Sequence, residues 1–150
     1  MTAPLQSLLA IAQRHAEAEG GQDVEAILST MEGEPVYEFH PLGKRFTGMA
    51  NTRRFYRHFI DAVQPRMIGS TLISEASGPY GVTQEYDVEL TLIGESAPSR
   101  HRIMAILVFG ERALSGERMY AGERLFRTLA GPLWDELEPI PAAAAARDGA

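Results

Sequence analysis

The stretch VYEFHPLGKRFTGMANTRRFYRHFIDAV, Val36 to Val63, decides how the chain is built. It reads as a short strand (Val36 to His40), a Pro-Leu-Gly turn, a second short strand (Lys44 to Thr47) and a helix entered through Gly48. In that helix Thr52, Phe55, Tyr56, Phe59, Ile60 and Val63 recur at i, i+3, i+4, i+7, i+8 and i+11, which is one apolar stripe. Arg53, Arg54, Arg57, His58 and Asp61 take the opposite face. A hairpin feeding an amphipathic helix, with the titratable His40 just before the turn, is a scaffold that holds a chemical group at a cavity mouth.

Toward the N-terminus, Pro4 opens a helix in which Leu5, Leu8, Leu9, Ala12 and Ala16 form the apolar stripe. Gly20-Gly21 ends it, because glycine takes the left-handed C-terminal conformation at little cost. Asp23 is an N-cap for a second helix predicted over Val24 to Met31, stopped by Gly33 and Pro35. Toward the C-terminus the hydrophobic period changes to 2. Strands are predicted over Met67 to Ser77 and Val82 to Ile93 around a Gly78-Pro79-Tyr80-Gly81 turn, then over Arg100 to Phe109 and Leu114 to Ala121. A short helix, Glu123 to Leu129, precedes Gly131-Pro132, and Trp134 and Leu137 are expected to dock. Residues 1–141 read as one domain and 142–150 as a disordered tail.

Composition narrows the function. The chain has 150 residues, 45% of them hydrophobic, enough for one domain with a real core and too few for two. The formal charge of −6, with acids spread throughout, leaves no basic footprint for nucleic acid. The absence of cysteine excludes disulfides, thiolate metal sites and Cys nucleophiles, and suits a reducing compartment. No apolar run nears membrane-spanning length, and the expected location is cytoplasmic.

Three helices leading an antiparallel meander, with a hairpin between the second and third, give an α+β order. The runs EFHPLGKRFTGMANTRRFY from Glu38, ILVF from Ile106 and ERMYAGERLFRTL from Glu117 resemble the SnoaL-like branch of the nuclear transport factor 2-like superfamily. The resemblance spans roughly Leu5 to Leu129 and implies a cone: a curved mixed sheet wrapped around helices, with a pocket on the concave face. Polyketide cyclases, ketosteroid isomerase and non-catalytic domains share that architecture. Set beside ketosteroid isomerase, His40 takes the place of the general-base Asp before Pro-x-Gly. His15 stands where the oxyanion Tyr lies, and Ala105 where the protonated Asp lies. The isomerase constellation is therefore absent. Tyr120-Ala121-Gly122 also lacks the Asp that commonly follows the aromatic in SnoaL-like proteins.

Alternation then selects the candidate site. If Ala105 faces the cavity, so does His101, and matching the last strands turns Glu117 and Met119 inward. His40 with Glu117 forms a candidate acid/base pair, because imidazole titrates near neutrality and a carboxylate fixes its tautomer. His15, Tyr37, Phe39, Phe55, Tyr56, Phe59, Tyr86, Val88, His101, Ala105 and Met119 are the candidate pocket residues for a small hydrophobic organic molecule. The bland alternatives are a hairpin histidine bonded to a backbone carbonyl, and aromatics that simply fill the core. Glu85, Asp87 and Glu89 read as a solvated stripe paired with Arg100 and Arg102. No ligand spacing suggests a metal, and no phosphate loop or other cofactor motif is present. Two functional classes remain: a cofactor-independent isomerase, cyclase or dehydratase, and a non-catalytic ligand-binding or dimerisation domain. Met104, Ile106 and Val108, apolar on the outer face, predict a homodimer.

Overall fold

Hydroxyl and carboxylate side chains set the first turns. In the computed structural model, which describes residues 1–143, helix α1 (Leu5–Gly20) is followed by α2 (Val24–Leu28), whose N-cap Asp23 accepts the Ala26 N–H at 3.0 Å. The second helix is shorter than its spacing predicts. Ser29 Oγ donates to the Ala26 carbonyl and Thr30 Oγ1 to that of Ile27, both at 2.6 Å, and these local bonds end it before Met31. Met31 opens a strand instead, β1 (Met31–His40), with Gly33 and Pro35 inside it. The register against the neighbouring strand shifts between Met31 and Val36, an irregularity at which proline is tolerated.

Next come β2 (Lys44–Thr47) and α3 (Met49–His58), as expected, and α3 runs on through a wide π-type turn, Phe59–Val63, and a 3-10 turn, Gln64–Arg66. The remaining elements are β3 (Met67–Gly78), β4 (Gly81–Leu90), β5 (Ser99–Phe109), β6 (Leu114–Tyr120), α4 (Glu123–Ala130), a 3-10 turn (Gly131–Glu136) and β7 (Glu138–Pro139). The sheet order is β3-β4-β5-β6-β1-β2-β7; β1 and β6 are parallel and the other pairs antiparallel. This is the curved mixed sheet of an α+β cone. Among the described residues no helix is long and apolar enough to cross a membrane.

Register sets the two faces. Tyr86 pairs with Ile103, Gln84 with Ala105, Ala105 with Met119, Phe39 with Met119 and Tyr37 with Glu117, so these side chains share the concave, helix-covered face. Asp87 and Glu85 lie outside, where Arg102 contacts both at 2.6 Å. The concave core is aromatic: Tyr37 stacks on Phe46 at 4.9 Å, and Phe39 meets Phe126 edge-on at 4.9 Å. Gly116 (φ +146°) lets β6 close on β1, since a Cβ there would stand 1.9 Å from the Val36 carbonyl oxygen. That close approach holds Glu117 in its place.

Two expectations are corrected at the periphery. His58, placed on the solvent face of α3 by spacing, is half-buried and donates Nε2–H to the Thr128 carbonyl at 2.8 Å. A side chain at Gly131 would strike its ring. After α4, Trp134 docks half-buried with the Arg127 guanidinium 4.6 Å above its ring, and Leu137 packs on the core. The chain then adds β7, unforeseen in the sequence, through the pairs Lys44 with Pro139 and Arg45 with Glu138. Of the predicted tail, residues 144–150 lie outside the described residues.

Candidate functional site

Under α1 and α3 the concave face encloses a cavity of about 70 Å³ within a recess of about 560 Å³ that includes its open mouth. Phe55, Tyr56 and Phe59 reach it from α3 and the turn after it, Tyr86 and Val88 from β4, and Glu117 and Met119 from β6. Apolar Val63, Leu90, Ile103, Leu125 and Leu129 close the wall. The enclosed part is small, which suits a small ligand.

Glu117 is the chemically distinct member. It is only 8% exposed, and no described residue makes a hydrogen bond to its carboxyl. Burial, with the nearby Glu19 adding repulsion, raises it well above the ordinary carboxylate range. Its protonated form is therefore favoured over a wider pH range than that of an ordinary carboxyl. Tyr86, whose hydroxyl also has no partner among the described residues, is pushed above its usual range by burial and then by Glu117 and Glu19.

Beside the cavity runs a buried hydrogen-bond chain. Because the Thr30 hydroxyl donates to Ile27, its oxygen accepts Nδ1–H of His15 at 2.8 Å. His15 Nε2 lies 3.0 Å from Glu19 Oε1 and 3.1 Å from Tyr56 Oη. The Tyr56 and Tyr37 hydroxyls are 2.7 Å apart, and Tyr37 donates onward to Met31 Sδ at 3.8 Å. With Tyr37 donating to Met31, Tyr56 donates to Tyr37, and the chain runs from Thr30 through His15 and both tyrosines to Met31. Burial raises both Tyr37 and Tyr56 well above their ordinary range.

The predicted pair His40 and Glu117 does not form. Phe39 points inward, so His40 points outward; its register partner is Tyr120, whereas Glu117 pairs with Tyr37. On that outer face His40 stacks on Tyr120 at 4.8 Å and meets Glu38 at 3.0 Å. His15 lies one hydrogen bond behind the cavity wall rather than in it, and Tyr37, Phe39 and Ala105 are core beyond the lining. His101 is on the inner-face register opposite Val88, yet it sits outside the cavity with Nε2 on Ser99 Oγ at 2.7 Å. Burial, and then Arg124, lower its pKa. Sequence reasoning missed Glu19 and Met67 in the lining, and the apolar wall of Val63, Leu90, Ile103, Leu125 and Leu129. The signal for Glu19 is its i+4 spacing from His15, which puts both on one helix face.

No family model matches this sequence, and no curated protein matches it. Solved structures do match. An NTF2-like protein from Burkholderia pseudomallei K96243 superposes with a TM-score of 0.63 at 10% identity, over 83% of this chain and 98% of that one. A protein from Xanthomonas campestris described as a candidate polyketide cyclase gives 0.61 at 15% identity, over 85% and 98%. A protein of ketosteroid isomerase-like fold from Catenulispora acidiphila DSM 44928, described in complex with trimethylamine, gives 0.56 at 16% identity, over 73% and 83%. The fold of this chain is thus the nuclear transport factor 2-like cone that the SnoaL-like resemblance implies.

Proposed function

We propose that this protein takes a small, largely apolar organic molecule into the cavity under α1 and α3, with Glu117 as the acid or base that handles its protons. The observation that carries this reading is a buried carboxyl with no protein partner facing open space. Buried polar groups are ordinarily hydrogen-bonded, and those that are not mark a missing ligand or a reactive role. The reaction class it supports is cofactor-independent isomerisation, cyclisation or dehydration. By analogy of fold, the neighbour described as a candidate polyketide cyclase supports the same class, and the one described with trimethylamine supports a very small ligand. Glu117→Gln keeps the shape and removes the acid. In heavy water, exchange of α-protons in a panel of small ketones and enones followed by NMR should slow about a hundredfold in the variant. Equal rates in both proteins would defeat the catalytic part and leave ligand binding alone.

A second reading concerns the outer face, and we infer that it pairs with a second copy of this chain. Met104 is 41% exposed, and Ile106 and Val108 beside it on β5 are outward and only half-buried. Glu85 and Arg102 at its edge supply both signs of charge, which suits a two-fold contact of one patch with itself. Sedimentation at micromolar concentration should give twice the chain mass, and Ile106→Glu should return it to the monomer mass. A wild-type monomer would overturn this reading.

A further inference from the structure

The geometry points to a small organic cation, an alkylammonium or iminium ion, as the molecule that fills this cavity. The inference rests on the reading that the cavity is a ligand site, and it names the ligand's charge.

Several partly buried carboxylates have a basic side chain beside them, Glu19 with His15, Glu38 with His40, and Glu85 and Asp87 with Arg102, and Glu32 accepts three backbone N–H groups. Glu117 is more than nine-tenths buried, lines the cavity and has neither. No Lys, Arg or His is among the lining residues, so the counter-charge is not built into the wall. Phe55, Tyr56, Phe59 and Tyr86 present aromatic rings to the same space, and ring faces attract cations. An anion would meet two carboxyls and no positive group. A neutral molecule would draw nothing from the attraction of ring faces for positive charge.

The titratable groups around Glu117 are Glu19 from α1, which raises it, and Tyr37 from β1, Tyr56 from α3 and Tyr86 from β4, which it raises in turn, whereas β5 and α4 line the cavity only with apolar side chains such as Ile103 and Leu125. Because burial and Glu19 favour the protonated form of Glu117, a cation that meets the protonated carboxyl enters by exchange. The carboxyl O–H bond breaks, the proton leaves to solvent, and the carboxylate pairs with the cation. The net charge of the cavity is unchanged. Binding consequently tightens as pH rises toward the raised pKa of Glu117 and releases one proton per ion bound.

The test is titration of the whole protein with tetramethylammonium chloride, whose charge does not titrate, and with neutral cyclopentanone. Sodium chloride keeps the ionic strength equal, and the aromatic resonances of Phe59 and Tyr86 are followed by NMR. Tetramethylammonium should bind at least about tenfold more tightly at pH 8 than at pH 5. Glu117→Gln should weaken it about tenfold or more at pH 8 and abolish the pH dependence. Proton release is read independently on the unmodified protein, by calorimetry in buffers of different ionisation enthalpy. Binding of cyclopentanone but not of tetramethylammonium overturns the cation inference and leaves the Glu117-centred reading standing. Tetramethylammonium binding that ignores both pH and Glu117→Gln also overturns it. If neither probe shifts the cavity resonances, the reading of the cavity as a ligand site itself fails.

Discussion

Glu38 and Glu117 are the same residue type on adjacent, hydrogen-bonded strands, yet the sheet gives them opposite environments. Glu38 points out, lies 3.0 Å from His40 and keeps contact with water. Glu117 points in, lies beneath α1 and α3, and finds no partner. The difference is one of strand parity, since adjacent positions project to opposite faces. On the outer face carboxylates become ordinary ion pairs, worth little in water-exposed surroundings. On the inner face one carboxyl is largely removed from water without a protein partner, and that burial is what raises its pKa.

The largest effect expected from this contrast is on stability against pH. In the unfolded chain Glu117 titrates near its ordinary value of 4.5, and in the folded protein well above it. Between those values the folded state holds a proton that the unfolded state has lost. Stability is therefore intact below about pH 4.5 and falls as pH rises through the folded value. Glu117→Gln removes that loss, so its advantage over the wild type should grow from pH 4.5 to pH 8.5 by on the order of 1–3 kcal/mol. Thermal melts of both proteins at the two pH values read this directly. An advantage independent of pH means that Glu117 is already ionised in the fold, and the contrast between the faces breaks.

Much of the fold was legible because burial writes itself into periodicity. The stripe of α3 and the alternation of β4 and β5 identify their inner faces without any structure, and Glu117 emerges by alternation with Met119. The errors have distinct physical sources. Gly33 and Pro35 read as a helix stop, whereas the hydroxyls of Ser29 and Thr30 had already ended α2 and the following residues pair irregularly as strand. With only Glu138 and Pro139 in it, β7 is held by backbone pairing, which leaves no side-chain period to read. Glu19 joins the site through the rotation of α1 on the sheet, a tertiary quantity that only its spacing from His15 hints at. For His40, a likeness in the turn was followed where strand parity pointed the other way. With Phe39 inward in VYEFH, the next residue has to face out.

His40→Ala is the smallest change and the sharpest test of that parity. His40 has 26% of its side chain exposed, stacks on Tyr120 and pairs with a partly exposed Glu38. Truncating it removes one surface hydrogen bond to Glu38 and one ring contact, a loss of less than about 1 kcal/mol. It does not touch the cavity wall, because the β1 backbone lies between its ring and the space that Glu117 faces. Ligand affinity and exchange rate should therefore stay at wild-type values, while Glu117→Gln alters both under identical conditions. The paired comparison also controls for indirect effects, since any distortion of β1 large enough to reach the cavity would first disturb Tyr37 and Phe39 and appear as a much larger drop in melting temperature. A tenfold loss of binding in His40→Ala with an unchanged melting temperature would bring His40 into the site and reverse the assignment of the two faces.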